Sequence, residues 1–148
     1  MDIIGLRLRF KPGRVRVLLV GESPPSSLTR GFFYDPIIES TLSHAVKQIF
    51  EEIYGVRYRS KLEFLEDFRR RGFYLHDLFD ERGKKICEAT REEVEEALRR
   101  LENLIDESRP ELVVAVLTRI GSIVRRACRG KVRCEVLRFP IPPYRDDF

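Results

Sequence analysis

Arg14 to Val20 (RVRVLLV) runs into an unbroken apolar stretch, and Leu112 to Leu117 (LVVAVL) is apolar throughout. A strand apolar on both faces must be covered on both faces, which is the condition of a strand in a parallel sheet flanked by helices. The intervening segments carry apolar residues at helical spacing. Strands thus alternate with helices, and the chain is expected to be α/β: a three-layer αβα sandwich with a mostly parallel central sheet of about four strands. At 148 residues it has the size of one domain, spanning 1–148.

Along the chain, Ile4, Leu6, Leu8 and Phe10 alternate with Arg7 and Arg9, which predicts a short half-buried strand ending at Pro12-Gly13. After the strand of RVRVLLV comes a long loop, Gly21 to Pro36 (GESPPSSLTRGFFYDP). Asp35 and Pro36 read as N-cap and first turn of a helix that buries Ile38, Leu42, Ala45, Val46, Ile49, Phe50 and Ile53. Ser60-x-x-Glu63 is a capping box for a second helix burying Leu62, Leu65 and Phe68, which Gly72 stops. Phe73 to Leu78 (FYLHDL) reads as a strand. Thr90-x-x-Glu93 caps a long helix with Val94, Ala97, Leu98, Leu101, Leu104 and Ile105 inward. After the strand at Leu112, Thr118 starts a helix with Ile120, Ile123, Val124 and Ala127 inward. Val132 to Leu137 is the last strand, followed by FPIPPYRDDF; its final Asp146-Asp147-Phe148 resembles a first helical turn, a pattern consistent with a further terminal helix.

Composition narrows the function classes. With 43% hydrophobic and 35% charged residues the chain can bury a core. No apolar run exceeds six residues, so no membrane span is expected, and the amino terminus lacks an apolar signal core, so a cytoplasmic protein is expected. A net charge of +4 is compatible with a polyanionic partner. The 22 Arg against 6 Lys, one Met and no Trp suit a thermophile protein, though GC-rich coding produces the same bias. Cys87, Cys128 and Cys134 lack metal-ligand spacing; Cys128 and Cys134 are expected as buried free thiols, a disulfide being the alternative. No Walker sequence or dinucleotide glycine fingerprint is present. No cofactor or metal is expected.

In a parallel sheet ligands bind at the carboxyl ends of the strands. Those ends are Gly21-Glu22-Ser23, His76-Asp77, Leu117-Thr118 and Phe139-Pro140, where the polar, Pro-rich and aromatic loops gather. Glu22, one residue past an apolar strand, can orient or activate a water there, or equally cap a helix or pair with an Arg. GESPP lacks the second glycine of a nucleophile elbow, so Ser23 is not expected to be a nucleophile. Phe32, Phe33 and Tyr34 can stack on a flat ring, although at least one should seal the core instead. Asp77 faces the cleft and His76 the other side of its strand; His44 sits mid-helix, and neither histidine needs a function. Charge is uneven: Glu88 to Glu107 has eight acids against three arginines, whereas Arg119 to Arg138 has seven bases against Glu135. That basic run is either a solvated face or a phosphate-tracking surface beside the cleft.

VLLVGESPP, then GFFY, then RPELVVAVLTRIGSIVRRAC and a Pro-rich loop after the last strand resemble the uracil-DNA glycosylase superfamily, nearest the thermophile branch whose first motif reads Gly-Glu-Ala-Pro-Gly. The similarity runs from about Val15 to the end. It implies a monomer that flips a base out of single- or double-stranded DNA and hydrolyses its N-glycosidic bond. By this resemblance Glu22 serves the water and Phe32 or Phe33 stacks on the base. Asp77 occupies or adjoins the position of the base-reading asparagine. Gly21, Ser23 and Pro24 belong to the first motif, and Phe139-Pro140-Ile141-Pro142-Pro143 falls on the second, pressing the backbone.

Three departures qualify what is implied. Phe139 replaces the histidine of the second motif, which removes the obvious stabiliser of a departing anionic base. Asp77 replaces an amide, and an ionised carboxylate only accepts hydrogen bonds, so it repels uracil O4 and suits an exocyclic amine such as that of cytosine or adenine. The four cluster cysteines of the thermophile branch are absent, so no iron–sulfur cluster is expected. Three functions therefore compete: a glycosylase for a base other than plain uracil, a nucleic-acid or nucleobase-binding module without catalysis, and a small-molecule hydrolase using Glu22 and Asp77 as an acid–base pair.

Overall fold

The computed structural model describes residues 2–26 and 31–139. Its centre is a four-stranded, all-parallel sheet made of β1 (Val17–Gly21), β2 (Phe73–Asp77), β3 (Leu112–Ala115) and β4 (Arg133–Val136), in the order β2-β1-β3-β4. Each lies within a strand expected from the sequence, β1 and β3 in unbroken apolar runs. Among the described residues five helices flank the sheet: α1 (Ile3–Arg9), α2 (Thr41–Tyr54), α3 (Lys61–Arg70), α4 (Arg91–Ser108) and α5 (Gly121–Cys128). The architecture is the three-layer αβα arrangement expected from the alternation of strands and helices. None of these helices is long and apolar enough to cross a membrane.

The helix caps largely behave as their residues dictate. Ser60 Oγ accepts the amide of Glu63 at 3.1 Å and Thr90 Oγ1 that of Glu93 at 3.1 Å, so both orphaned first turns are satisfied where expected. Helix α3 ends at Gly72, whose φ of +85° suits a residue without Cβ, and the Gly72 carbonyl accepts the amide of Arg16 at 2.7 Å. That bond aligns the entry of β1 with β2. Helix α4 packs against α5, and α5 lies on β3 and β4. Phe50 of α2 packs between Phe64 and Phe68 of α3 and Phe73 of β2, with ring centroids 4.8–5.6 Å apart. Cys128 and Cys134 are free thiols, the former buried and the latter half-buried.

Two elements are corrected, and with them Ile38 and Ile53, which were expected inward but are exposed. Residues 3–9 form a helix rather than a strand: Asp2 caps it by accepting the amide of Gly5 at 2.9 Å, and the inward positions are Ile3, Leu6, Arg7 and Phe10. That spacing is helical, with Ile4 and Leu8 left exposed; the apparent alternation arose because a charged residue, Arg7, is one of the buried ones. Likewise, α2 starts after Ser40 and not at Asp35-Pro36. Asp35 Oδ1 accepts the amides of Ile37 at 2.9 Å and Ile38 at 3.3 Å in a local turn, whereas Ser40 and Ser43 form the reciprocal capping box. His44, early in α2, is exposed beside Glu39.

Strand β2 is an edge strand, and its outer edge is sealed by a side chain. The Tyr34 hydroxyl accepts from Leu75 N at 2.6 Å and donates to Leu75 O at 3.1 Å, while Phe10 stacks on the Tyr34 ring at 5.9 Å. The GFFY loop thus takes the place of a neighbouring strand. Tyr34→Phe leaves a buried amide and carbonyl unpaired and is expected to cost about 1–3 kcal/mol. Urea denaturation measures this, and a cost near zero would show that the hydroxyl does not seal the edge.

Candidate active site

Where β1, β2 and β3 end, a cavity of about 490 Å³ opens. Gly21, Glu22, Ser23, Pro24, Phe32, Phe33, Asp77 and Phe139 all line it, so the structure brings these candidate residues together, whereas Tyr34 and Thr118 do not line it. Pro140 lies outside the described residues. His76 does not line the cavity. It is buried, burial and the charges of Arg100 and Arg7 push its imidazole down to about 3, and its Nε2 has no hydrogen-bond partner.

Asp77 forms part of the cavity wall at the end of β2. Its register partner is Gly21, and a Cβ on that glycine would lie 2.7 Å from Asp77 Oδ1, so only glycine leaves room for the carboxylate. Asp77 is 5% exposed, and burial raises its carboxyl to about 6 against the opposing pull of Arg7. Arg7 Nη2 stands 3.6 Å from Asp77 Oδ2, while Nη1 donates to Asp80 Oδ1 at 2.7 Å. Asp80 is held in turn by Arg100 of α4 at 3.2 Å. Arg7 is itself 6% exposed, and its Nε and Nη2 have no hydrogen-bond partner, so its guanidinium serves the two carboxylates chiefly through charge.

The GESPP loop is fastened to the segment after β2. Gly21 O and Glu22 O accept the amides of Leu78 at 2.9 Å and Phe79 at 3.0 Å, which prolongs the β1–β2 ladder. Ser23 Oγ donates to Lys84 O at 2.7 Å, and Pro24 O accepts from Gly83 N at 2.8 Å. Ser23 is therefore a fastener of the loop. Glu22, 6% exposed, is engaged at both oxygens. Arg119 donates through Nε to Oε1 and Oε2 at 3.0 Å each and through Nη2 to Oε1 at 2.6 Å; Ile86 N donates to Oε2 at 2.9 Å. Of the alternatives open for Glu22, its geometry displays two: the pair with Arg119 and a bond that caps the first amide of the short 3-10 helix Ile86–Glu88.

Phe32 and Phe33 line the cavity yet are almost fully buried, in an aromatic cluster with Tyr34 and Phe68. Their loop is anchored from below by Lys61, whose buried Nζ donates to Phe32 O at 2.7 Å and to Ile38 O at 2.6 Å. Burial lowers this ammonium to about 8.

Arg7, Lys61 and Arg119 escape sequence reasoning. Arg7 and Lys61 sit among residues that read as solvated charge, and only long-range packing buries them. Arg119 carried a signal, because it follows the carboxyl end of β3 and opens the basic run. Among the described residues no cluster of three or more His, Cys, Asp or Glu side chains is placed to hold a metal. No protein-family model matches the chain, and no curated protein matches it either.

The Asp77 carboxyl gives a pH signature. Its folded value of about 6 exceeds the ordinary 3.8, so between those values the folded state holds the extra proton and Asp77 destabilises the fold progressively as pH rises. Arg7 and Asp80 are common to wild type and an Asp77→Asn variant and largely cancel. The stability of wild type relative to Asp77→Asn should therefore fall by about 2–3 kcal/mol from pH 4 to pH 7. Parallel unfolding free energies across that range would show that Asp77 is not perturbed.

Proposed function

We propose that this chain is a divergent uracil-DNA glycosylase-like protein that receives a base flipped from DNA in the cavity and hydrolyses its N-glycosidic bond. The observation that carries the reading is a buried carboxylate, Asp77, in the wall of a partly aromatic cavity at the carboxyl ends of a parallel sheet. A flipped base needs an apolar slot with a polar group aimed at its edge, and Phe32, Phe33 and Leu75 supply apolar lining beside Asp77.

In this reading the bond from C1′ to the base nitrogen breaks with its electron pair leaving on the base. Water oxygen adds to C1′ and loses a proton towards Glu22. Glu22 accepts that water by exchanging it for one of the Arg119 donors, since the Ile86 amide alone leaves an oxygen available. The Lys84–Lys85 segment and Arg119 place positive charge at the cavity, where a phosphate backbone would run.

A second reading, base or nucleic-acid binding without hydrolysis, is favoured by one observation: both Glu22 oxygens are already occupied, by Arg119 and by the Ile86 amide. Incubating oligonucleotides bearing uracil, hypoxanthine, xanthine or mismatched bases with the protein, then cleaving abasic sites with alkali, separates the two. Release from one substrate is expected, with Glu22→Gln and Asp77→Asn each slowing it at least about tenfold, the scale of one positioned acid–base or base-reading group. Unaltered release in both variants would refute the site. Salt-sensitive binding with no release would establish the second reading.

A further inference from the structure

The cavity is electrically polarised. Asp77 lies buried in its wall with one oxygen, Oδ2, facing Arg7 and the other, Oδ1, over Gly21 and accepting no hydrogen bond from the described residues. Arg119 also lines the cavity, but its side chain is 54% exposed. Glu22 fixes that guanidinium through Nε and Nη2, so Nη1 donates to no described protein group. Thr41 and Leu42, in the first turn of the 14-residue α2, line the same cavity and add the positive end of a helix dipole. An acceptor-only group in the buried wall and a donor-only group at the exposed part form a complementary image of one ligand class.

We propose, resting on the nucleobase reading of this site, that the cavity selects a nucleotide whose base carries an exocyclic amine, the amine donating to Asp77 and the phosphate pairing with Arg119. A keto oxygen in place of that amine would meet the carboxylate acceptor to acceptor, with no donor to rescue it. A nucleoside without its phosphate would leave Arg119 only its bond to Glu22. Arg119 is the residue this adds to the site: held bidentately by Glu22, it has lost most of its rotamer freedom before a phosphate arrives.

Two pairs of mononucleotides that differ only by amine against keto, CMP with UMP and AMP with IMP, test the inference by titration calorimetry at low salt, alongside cytidine and adenosine. Wild type should bind the amine member of at least one pair about tenfold more tightly, and that nucleotide about tenfold more tightly than its nucleoside, each the equivalent of one good polar contact. Asp77→Asn should abolish or reverse the base preference and keep the phosphate preference. Arg119→Gln should do the converse. The double variant Glu22→Gln/Arg119→Gln, which leaves no unpaired buried carboxylate, should repeat that result and so separates loss of phosphate binding from misfolding. Equal affinities within both pairs, or a phosphate preference that survives both arginine variants, would overturn the inference. If oligonucleotides still bind or lose a base, the reading of the site stands without it; if neither nucleotides nor oligonucleotides bind at low salt, both fail.

Discussion

A carboxylate removed from water at the carboxyl end of β2 is the constraint that the rest of this end of the molecule accommodates. Charges in a protein interior are tolerated when a partner offsets their lost hydration. Asp77 has such a partner at 3.6 Å, too far for a strong hydrogen bond and near enough for charge. Arg7 must in turn be buried, which turns α1 inward on Leu6, Arg7 and Phe10, and its charge is shared with Asp80 and, through it, with Arg100 on α4. Gly21 must lack a side chain. Helix α1, the start of the GESPP loop and the segment after β2 are thereby tied to one functional group. Removing Arg7 would leave Asp77 with burial unopposed and push its carboxyl further toward the neutral acid.

The other wall is rigid for a different reason. The GFFY loop has no strand or helix of its own, yet Phe32, Phe33 and Tyr34 are among the most buried residues in the chain. A buried loop must satisfy its backbone, and here Lys61 reaches from α3 to the Phe32 and Ile38 carbonyls, while Tyr34 in turn satisfies the edge of β2. Pre-positioned walls reduce the ordering cost of binding a planar ligand. They also bear on the stacking role of the phenylalanines. At 1% and 3% exposure Phe32 and Phe33 add apolar wall to the cavity but offer no open ring face, and rings packed this way cannot swing out to meet a base.

Legibility from sequence followed the range of the interactions. The four strands and the caps at Ser60 and Thr90 were readable, because apolar runs and Ser/Thr-x-x-Glu spacing are local and the physics acts within a few residues. The placement of the cavity followed from the strand ends alone. What failed was set at long range. Helix α1 presented two exposed apolar residues, Ile4 and Leu8, and one buried charge, so its periodicity pointed to the wrong element. Asp35 was a sound capping residue in the wrong place, since a turn at Ile37 and Ile38 uses it six residues before α2 begins. For Glu22 the sequence left water and arginine in balance, because the partner is Arg119, 97 residues away.

That last pairing decides how Glu22 can act. Three guanidinium bonds and one amide bond occupy both Glu22 oxygens, so a water reaches the carboxylate only by displacing one of these donors. Its more immediate effect is to fix the Arg119 guanidinium at the cavity with its planar fork already oriented. The two roles are coupled. A phosphate that draws Arg119 away from Glu22 at the same time releases a carboxylate oxygen to a water.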